Sequence, residues 1–262
     1  MNTLQADVVV VGGGSGGCVV AGRLAEQRRD VLLLEAGPDY GPIDSGRWPS
    51  DLMSARMLAT SHDWGYGSGR WLFERARVIG GCSAHNGAIA AVGQREEYDD
   101  WGLAGWRGDD AAPLFDEVLA RMRVRAYEAH EAGPFHARCL DAAASLGWPI
   151  ASDLCDLDAG PSFGLETVNA VGDVRWNAAF AYLDPVRGGS LRIADEFLVD
   201  RLESGAGGVR VFGSRRGEPT VVEATTVVLA CGAYGTPLVL ERSGVGDPAA
   251  LRAAGVGVVH EL

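Results

Sequence analysis

Residues 7–35 read DVVVVGGGSGGCVVAGRLAEQRRDVLLLE, which predicts a strand, a glycine turn, a helix and a second strand that ends in an acidic residue. The run Asp7–Val11 is apolar and rich in β-branched side chains, as expected of a buried strand. The spacing G-x-G-x-x-G then places glycine at positions 12, 14 and 17. Gly12 permits a tight turn, Gly14 lets a diphosphate approach the backbone, and Gly17 lets the helix pack against the strand.

The residues after this turn complete a predicted dinucleotide site. The helix begins near Ser15 and presents its free N–H groups and positive dipole end to the phosphates. Val31–Leu34 forms the next strand, and Glu35 follows Gly17 by 18 residues, where a carboxylate accepts hydrogen bonds from both ribose hydroxyls of an adenosine. Because the strands, the helix and the acid all occur together, we expect an adenine dinucleotide site rather than a merely structural turn.

Composition limits the partners that we expect. The 262 residues are 47% hydrophobic and carry a net charge of −12 without a basic block, which argues against nucleic acid and anionic membranes as partners. The five cysteines form no C-x-x-C pair, so we expect neither a disulfide framework nor a metal site. The apolar run at Val8–Val11 is too short for a signal peptide or a membrane span, and a cytoplasmic location is the default expectation.

The rest of the chain divides into an irregular, a helical and a β-rich part. Residues 36–75 are rich in glycine, proline and aromatic residues, which is typical of a lid or binding loop, and residues 76–93 are small and apolar. Helices are predicted over Asp109–Arg125 and Pro134–Leu146. Strands are predicted over Leu191–Val199, Val209–Phe212, Thr220–Ala224 and Thr226–Cys231. We expect the first three of these strands to form a meander and the last to rejoin the sheet begun at Asp7.

The glycine fingerprint alone does not distinguish NAD from FAD. Here the fingerprint lies at the start of the chain, and a second glycine-containing segment, VVLACGAYGTP at residues 227–237, returns about two hundred residues later. Flavoproteins commonly split the dinucleotide domain in this way, whereas NAD-dependent dehydrogenases usually keep it continuous. An NAD-dependent dehydrogenase is the alternative, but it leaves the second segment unexplained.

Two segments resemble the signatures of the glucose–methanol–choline (GMC) oxidoreductases, which are FAD-dependent. Residues 232–246, GAYGTPLVLERSGVG, resemble the second signature, and residues 77–86, RVIGGCSAHN, resemble the first. Cys82 and His85 depart from the commonest form of the first signature and make it similar to that of choline oxidases. Weaker similarities lie at residues 63–66, 98–101 and 181–185, so the resemblance spans the whole chain.

The resemblance implies an α/β protein. We expect a split Rossmann-like FAD-binding domain with a three-stranded β meander and an incomplete α+β substrate domain. Residues 1–95 are expected to form the first part of the FAD-binding domain, residues 96–188 a partial substrate or cap region, and residues 189–262 the returning part.

The resemblance also implies contacts with FAD. Glu35 would bind the adenosine ribose, the Val199 backbone would meet the adenine edge, and Val78 with residues 86–89 would lie along the flavin and the diphosphate. The full set of implied cofactor-binding residues is Gly12, Gly14, Ser15, Gly17, Glu35, Ala36, Val78, Gly81, His85, Asn86, Gly87, Ala88, Ile89, Val199 and Ala233. His85 matches the histidine that carries the flavin covalently in choline oxidases; here a covalent bond, a noncovalent contact and a structural role are all open. Arg77 either pairs with a phosphate or is a solvated surface residue.

The implied function is oxidation of a small-molecule alcohol at its CH–OH group by hydride transfer to the flavin. The resemblance implies a histidine base, paired with a second histidine or an asparagine, near the C-terminus of a chain about twice this length. None of the five histidines here matches that position, so no catalytic residue is assigned. Three accounts follow: a truncated enzyme, half of a split enzyme completed by a C-terminal chain, or a noncatalytic flavin-binding protein.

Overall fold

The computed structural model describes residues 2–262. Its strands are β1 (Asn2–Val11), β2 (Val31–Leu34), β3 (Gly67–Ser68), β4 (Trp71–Leu72), β5 (Ile89–Ala90), β6 (Val124–Ala126), β7 (Thr167–Val171), β8 (Val174–Arg175), β9 (Leu191–Ala194), β10 (Phe197–Gly205), β11 (Gly208–Arg215), β12 (Glu218–Leu229), β13 (Val245–Gly246) and β14 (His260–Glu261). Its α-helices are α1 (Ser15–Glu26), α2 (Ser50–Met53), α3 (Arg95–Asp100), α4 (Gly108–Arg121), α5 (Pro134–Ser145), α6 (Gly232–Arg242) and α7 (Pro248–Ala253). Short 3₁₀ turns and one π-helical turn, at Ala179–Leu183, complete the described elements.

The described residues form two compact units. The first unit contains residues 2–52, 59–85 and 177–262, and the second contains residues 53–58 and 86–176. The assignment of residues 1–95 and 189–262 to the cofactor and of residues 96–188 to the substrate stays a prediction. No helix in the described part of the chain is long and apolar enough to cross a membrane.

A six-stranded sheet forms the centre of the first unit, in the order β10-β11-β12-β1-β2-β9. Strand β1 pairs in parallel with β12 and β2, and β2 pairs in parallel with β9. Strands β10, β11 and β12 form the antiparallel meander. The β1 and β2 residues Val9, Val10, Val31 and Leu33 are fully buried, as expected for parallel strands that are covered on both faces. The predicted α/β fold, with a parallel sheet and a three-stranded meander, is confirmed.

The returning strand joins the sheet where the sequence predicted it. Val8 of β1 lies opposite Thr226, and Val11 lies opposite Leu229. The sequence predicted two strands over residues 220–231, but the structure has the single strand β12. Since no glycine or proline interrupts the chain between Ala224 and Thr226, β12 extends without a break and pairs along its length with β1.

One predicted strand, Leu191–Val199, is instead two strands. The strand is interrupted between β9 and β10 at Asp195 and Glu196, and Glu196 adopts a positive φ of 52°. The break lets the chain cross the end of β2, where Glu35 N–H donates to the Ala194 carbonyl and Phe197 N–H donates to the Glu35 carbonyl. Alternating polar and apolar side chains do not reveal such a break, because it depends on hydrogen bonds to a distant strand.

The second unit contains an antiparallel sheet and three helices. Strand β7 lies between β5 and β6 and also pairs with β8. Helix α4 ends at Arg121, four residues before its predicted end, because Arg123 has a positive φ of 52° and the chain continues as β6. Helix α5 agrees with its prediction to within one residue and is followed by Gly147 in the left-handed region.

Candidate functional site

The glycine turn between β1 and α1 forms the floor of a cleft in the first unit. Gly12 has a φ of +98°, and a β-carbon there would lie 2.4 Å from the Ala230 carbonyl oxygen. A β-carbon on Gly17 would lie only 1.8 Å from the Gly12 carbonyl oxygen, so this glycine permits the close packing of helix on turn. Above Gly14 the space is open, since its β-carbon would meet nothing closer than the Gly81 Cα at 3.9 Å.

Helix α1 presents its N-terminus to this cleft. Its first turn contains no acidic side chain, and Gly14 at the N-cap supplies no side-chain hydrogen bond to the helix amides. Gly14, Ser15 and Gly16 all line the cleft. The positive end of the helix dipole is therefore available to an anionic group.

Glu35 provides the acidic group beside the glycine turn. Its side chain is buried, with Oε2 accepting from Gly13 N–H at 2.7 Å and Oε1 accepting from Gly37 N–H at 2.8 Å. Burial raises the pKa of Glu35 to about 6, and the two amides oppose this rise because they stabilise the ionised form. The backbone thus holds the carboxylate in place.

The second glycine segment reaches the same cleft from β12. Ala230 N–H donates to the Val11 carbonyl at 2.7 Å, which places the end of β12 beside the glycine turn. Helix α6 then begins at Gly232, and Ala233 and Tyr234 line the cleft. Residues more than two hundred positions apart are therefore brought together on one wall.

The cleft has a volume of about 540 Å³. Of the predicted cofactor-binding residues, those that line it are Gly12, Gly14, Ser15, Glu35, Ala36, Gly81, Val199 and Ala233. Gly17 lies within α1 and packs against the turn. Val78 is fully buried and does not line the cleft. The contacts of these residues with FAD stay predictions.

His85 ends the 3₁₀ turn that begins at Gly81. It is 8% exposed, and its Nε2 is buried without a hydrogen-bond partner among the described residues. A buried polar nitrogen without a partner is costly unless a bound group satisfies it.

The predicted contacts at Asn86, Gly87, Ala88 and Ile89 fall in the second unit. Asn86 Oδ1 accepts from Ala88 N–H at 3.0 Å, Ala88 has a φ of 60°, and Ile89 begins β5. The side chain of Asn86 therefore supports a tight turn, and the role of these residues along the flavin stays a prediction.

The hairpin of residues 63–76, which contains β3 and β4 and is rich in aromatic residues, forms a wall that the glycine motifs did not indicate. Trp64 and Tyr66 line the cleft and stack with their ring centroids 5.7 Å apart and their planes at 2°. Tyr66 also meets Tyr234 of α6 edge-on at 5.7 Å. In the sequence, residues 63–66 show only a weak similarity to the family. The alternation of aromatic residues with glycine was the signal that could have indicated this wall.

Arg77 does not line this cleft. Its guanidinium lies 4.9 Å from the Trp64 ring centroid, and its Nε donates to the Ala36 carbonyl at 3.1 Å. It lines a neighbouring cleft of about 450 Å³ together with His62 and Arg216. This position does not support a contact between Arg77 and a phosphate in the main cleft.

Comparison with known proteins identifies similar sequences along nearly the whole chain. Residues 6–258 match the family described as GMC oxidoreductase. The mitochondrial choline dehydrogenase of Homo sapiens is 34% identical over 97% of this chain and 48% of its own length. A glucose dehydrogenase of Drosophila melanogaster, named as using FAD and quinone, is 31% identical over 98% of this chain and 46% of its own length.

A solved structure has the same fold. The crystal structure of a pyridoxine 4-oxidase described as from Mesorbium loti superimposes with a TM-score of 0.84 at 28% identity, covering 98% of this chain and 55% of that chain. The chain spans about half the length of the curated relatives it matches.

Proposed function

Because this chain belongs to the GMC oxidoreductase family, we propose that its cleft binds FAD. We further propose that it supplies the FAD-binding part of an oxidoreductase that acts on the CH–OH group of a small alcohol. The observation that carries the proposal is the Glu35 carboxylate, which backbone amides hold beside the glycine turn in the same cleft as the α1 N-terminus. This arrangement has an acceptor for ribose hydroxyls next to donors for a diphosphate.

The residues of the cleft fit the proposed cofactor. Its volume of about 540 Å³ lies within the range of small-molecule sites, and it opens above Gly14, where no side chain intervenes. Gly12, Gly14 and Ser15 would hold the diphosphate, Glu35 the adenosine ribose, and Val199 the adenine. The remaining lining residues assigned to FAD are Ala36, Gly81 and Ala233.

The reaction divides between the cofactor and the protein. The chemistry that a bound FAD would supply is acceptance of the hydride that leaves the alcohol carbon. The backbone of the glycine turn would position the cofactor, and Trp64, Tyr66 and Tyr234 would form one wall of its site. No histidine is among the residues, within 2–262, that line the cleft. We therefore propose that a complementing segment, continuous with this chain or separate from it, supplies the base.

Reconstitution tests both parts of this function. The 262-residue chain is mixed with FAD, freed of excess cofactor, and treated with choline and short-chain alcohols under anaerobic conditions. We expect a bound flavin spectrum that alcohol does not bleach, and bleaching once the second half of a choline dehydrogenase relative is added. A chain that binds no FAD would disprove the proposal. Bound FAD that no alcohol reduces, even with the second half present, would instead favour a noncatalytic flavin-binding protein. The observation that supports this alternative is that no histidine lines the cleft among residues 2–262.

The buried Nε2 of His85 supports a flavin contact at this residue. We propose that this nitrogen attaches the flavin or contacts it, and acid denaturation separates these two cases. A covalent link predicts that the yellow colour stays with the precipitated polypeptide, and that a His85→Ala variant releases it into the supernatant. The exposed His136 provides a matched control, because His136→Ala should leave the distribution unchanged. Complete release from the unmodified chain would exclude the bond.

We propose a reducing compartment for this protein, with the cytoplasm as the default. All five cysteines are free in the structure, although Cys82 and Cys139 are exposed. Such free thiols persist in reducing surroundings. Cell fractionation with an antibody against the chain tests this location, and recovery in an oxidising compartment would contradict it.

A further inference from the structure

Not every charged side chain that lines the cleft is paired with a group of opposite charge or held by backbone amides. Three of the lining residues, within the described part of the chain, carry charged side chains: Glu35, Arg75 and Arg242. Glu35 accepts from two backbone amides. Arg242 lies 3.6 Å from a carboxylate oxygen of Asp200. Arg75 has no carboxylate within ion-pair distance of its guanidinium among residues 2–262, so its positive charge is unbalanced.

Arg75 is nevertheless held in position. Its guanidinium carbon lies 5.1 Å from the Tyr234 ring centroid, and its Nη1 donates to the Glu74 carbonyl at 2.6 Å. Its backbone N–H donates to Asp63 Oδ2 at 2.8 Å, and its carbonyl accepts from Trp64 N–H at 2.9 Å. These contacts anchor the residue to both the hairpin and α6. A cation fixed in this way loses less conformational entropy on binding an anion than a free surface side chain does.

We propose that Arg75 is a diphosphate-binding residue of this cleft. The inference rests on the proposed FAD site and adds to it a residue from outside the glycine turn. The turn supplies backbone N–H groups but no charged side chain, whereas the diphosphate carries negative charge that a guanidinium binds well. The chain has a net charge of −12, which repels an anionic ligand. An unbalanced arginine in the lining of the cleft offsets this repulsion locally.

The same hairpin offers a matched control. Arg70 also lies over an aromatic ring, with its guanidinium carbon 5.8 Å from the Trp71 ring centroid, but it does not line the cleft. The Arg70→Gln variant therefore removes one positive charge from the same hairpin without touching the site. Comparison of Arg75→Gln with Arg70→Gln separates a local contact from a change in overall charge.

The experiment measures the affinity of the 262-residue chain for FAD, ADP and adenosine by calorimetry or fluorescence. ADP has the adenosine and the diphosphate without the flavin, and adenosine lacks the phosphates. For Arg75→Gln we expect ADP and FAD to bind roughly 10- to 100-fold more weakly, with adenosine affinity unchanged. Arg70→Gln should bind all three ligands as the unmodified chain does, and Arg75→Lys should recover part of the ADP affinity. Thermal melting without ligand checks that every variant is folded.

Each result bears on a different claim. If Arg75→Gln binds ADP normally, or loses ADP and adenosine affinity equally, then Arg75 does not contact the diphosphate, although the FAD site stands. If the unmodified chain binds neither FAD nor ADP, the proposed function fails and the role of Arg75 fails with it. Selective loss of ADP and FAD affinity in Arg75→Gln, with Arg70→Gln unaffected, supports the assignment.

Discussion

Replacing Gly17 with alanine is expected to destabilise the first unit by about 3 kcal/mol. The added β-carbon would lie 1.8 Å from the Gly12 carbonyl oxygen, a distance at which one of the two must move. That oxygen belongs to the backbone of a turn whose own φ is +98°, with the end of β12 packed closely beside it. The clash therefore cannot be relieved by rotation of a flexible side chain. Urea denaturation without FAD measures the change directly.

Gly16 provides the control for this substitution. It is the neighbouring residue in the first turn of α1, and a β-carbon there would meet nothing within 4 Å. Gly16→Ala should therefore stay within about 1 kcal/mol of the original free energy of unfolding, since alanine favours the helix. If the two variants are equally stable, Gly17 is not needed for close packing and this part of the interpretation is wrong.

The second large effect is expected at Glu35. Glu35→Gln should weaken FAD binding by roughly 10- to 100-fold, because the amide has one acceptor oxygen where the carboxylate has two. Its NH₂ group would also face one of the N–H donors of Gly13 and Gly37, which both point at the carboxylate. Equilibrium titration with FAD at pH 8 measures the loss. Glu196→Gln is the matched control, because Glu196 lies near the same strand end but does not line the main cleft.

The same residue predicts how binding depends on pH. The pKa of Glu35 is raised to about 6 by burial. In the proposed FAD site, the ribose hydroxyls would donate to the ionised form. As the pH falls below 6, protonation of Glu35 competes with the ligand. The dissociation constant for FAD should then increase by up to about tenfold for each pH unit. Glu35→Gln cannot titrate and should lose this dependence. A wild-type affinity that stays constant from pH 8 to pH 5 would contradict the role of Glu35.

Stability without the ligand should change in the opposite direction. A folded-state pKa of about 6, above the ordinary 4.5, means that the folded chain holds the proton more tightly than the unfolded chain. The contribution of Glu35 to stability is thus fully present below pH 4.5 and is lost as the pH rises through 6, by about 2 kcal/mol. The difference in free energy of unfolding between wild type and Glu35→Gln, followed over this range, isolates the contribution from other carboxylates.

Much of the site could be predicted because its parts obey local rules. The apolar run before Gly12 and the spacing of glycines at 12, 14 and 17 predict the strand, turn and helix, and Glu35 follows the next strand. The return of β12 beside β1 was also expected, since a second non-alternating apolar run needs a place in the buried sheet. These features depend on side-chain type and spacing over short stretches of chain.

Other features of the site had no such signal. The break at Glu196 arises from hydrogen bonds that join the end of β2 to the ends of β9 and β10, about 160 residues later in the sequence. Arg77 belongs to a recognisable motif, yet Arg75 lines the cleft and Arg77 does not. The difference depends on the path of the hairpin and on the Tyr234 ring of α6, not on the motif.

The sequence by itself determined the fold class, the glycine turn and the acid beside it, because hydrophobic burial and backbone sterics act on neighbouring residues in a regular way. Only the tertiary structure decided which side chains form the walls of the cleft. The stacking of Trp64 on Tyr66 is local, but the contacts of Tyr66 and Arg75 with the Tyr234 ring join segments about 160 to 170 residues apart. Such packing depends on the three-dimensional course of the whole unit, which no local spacing encodes.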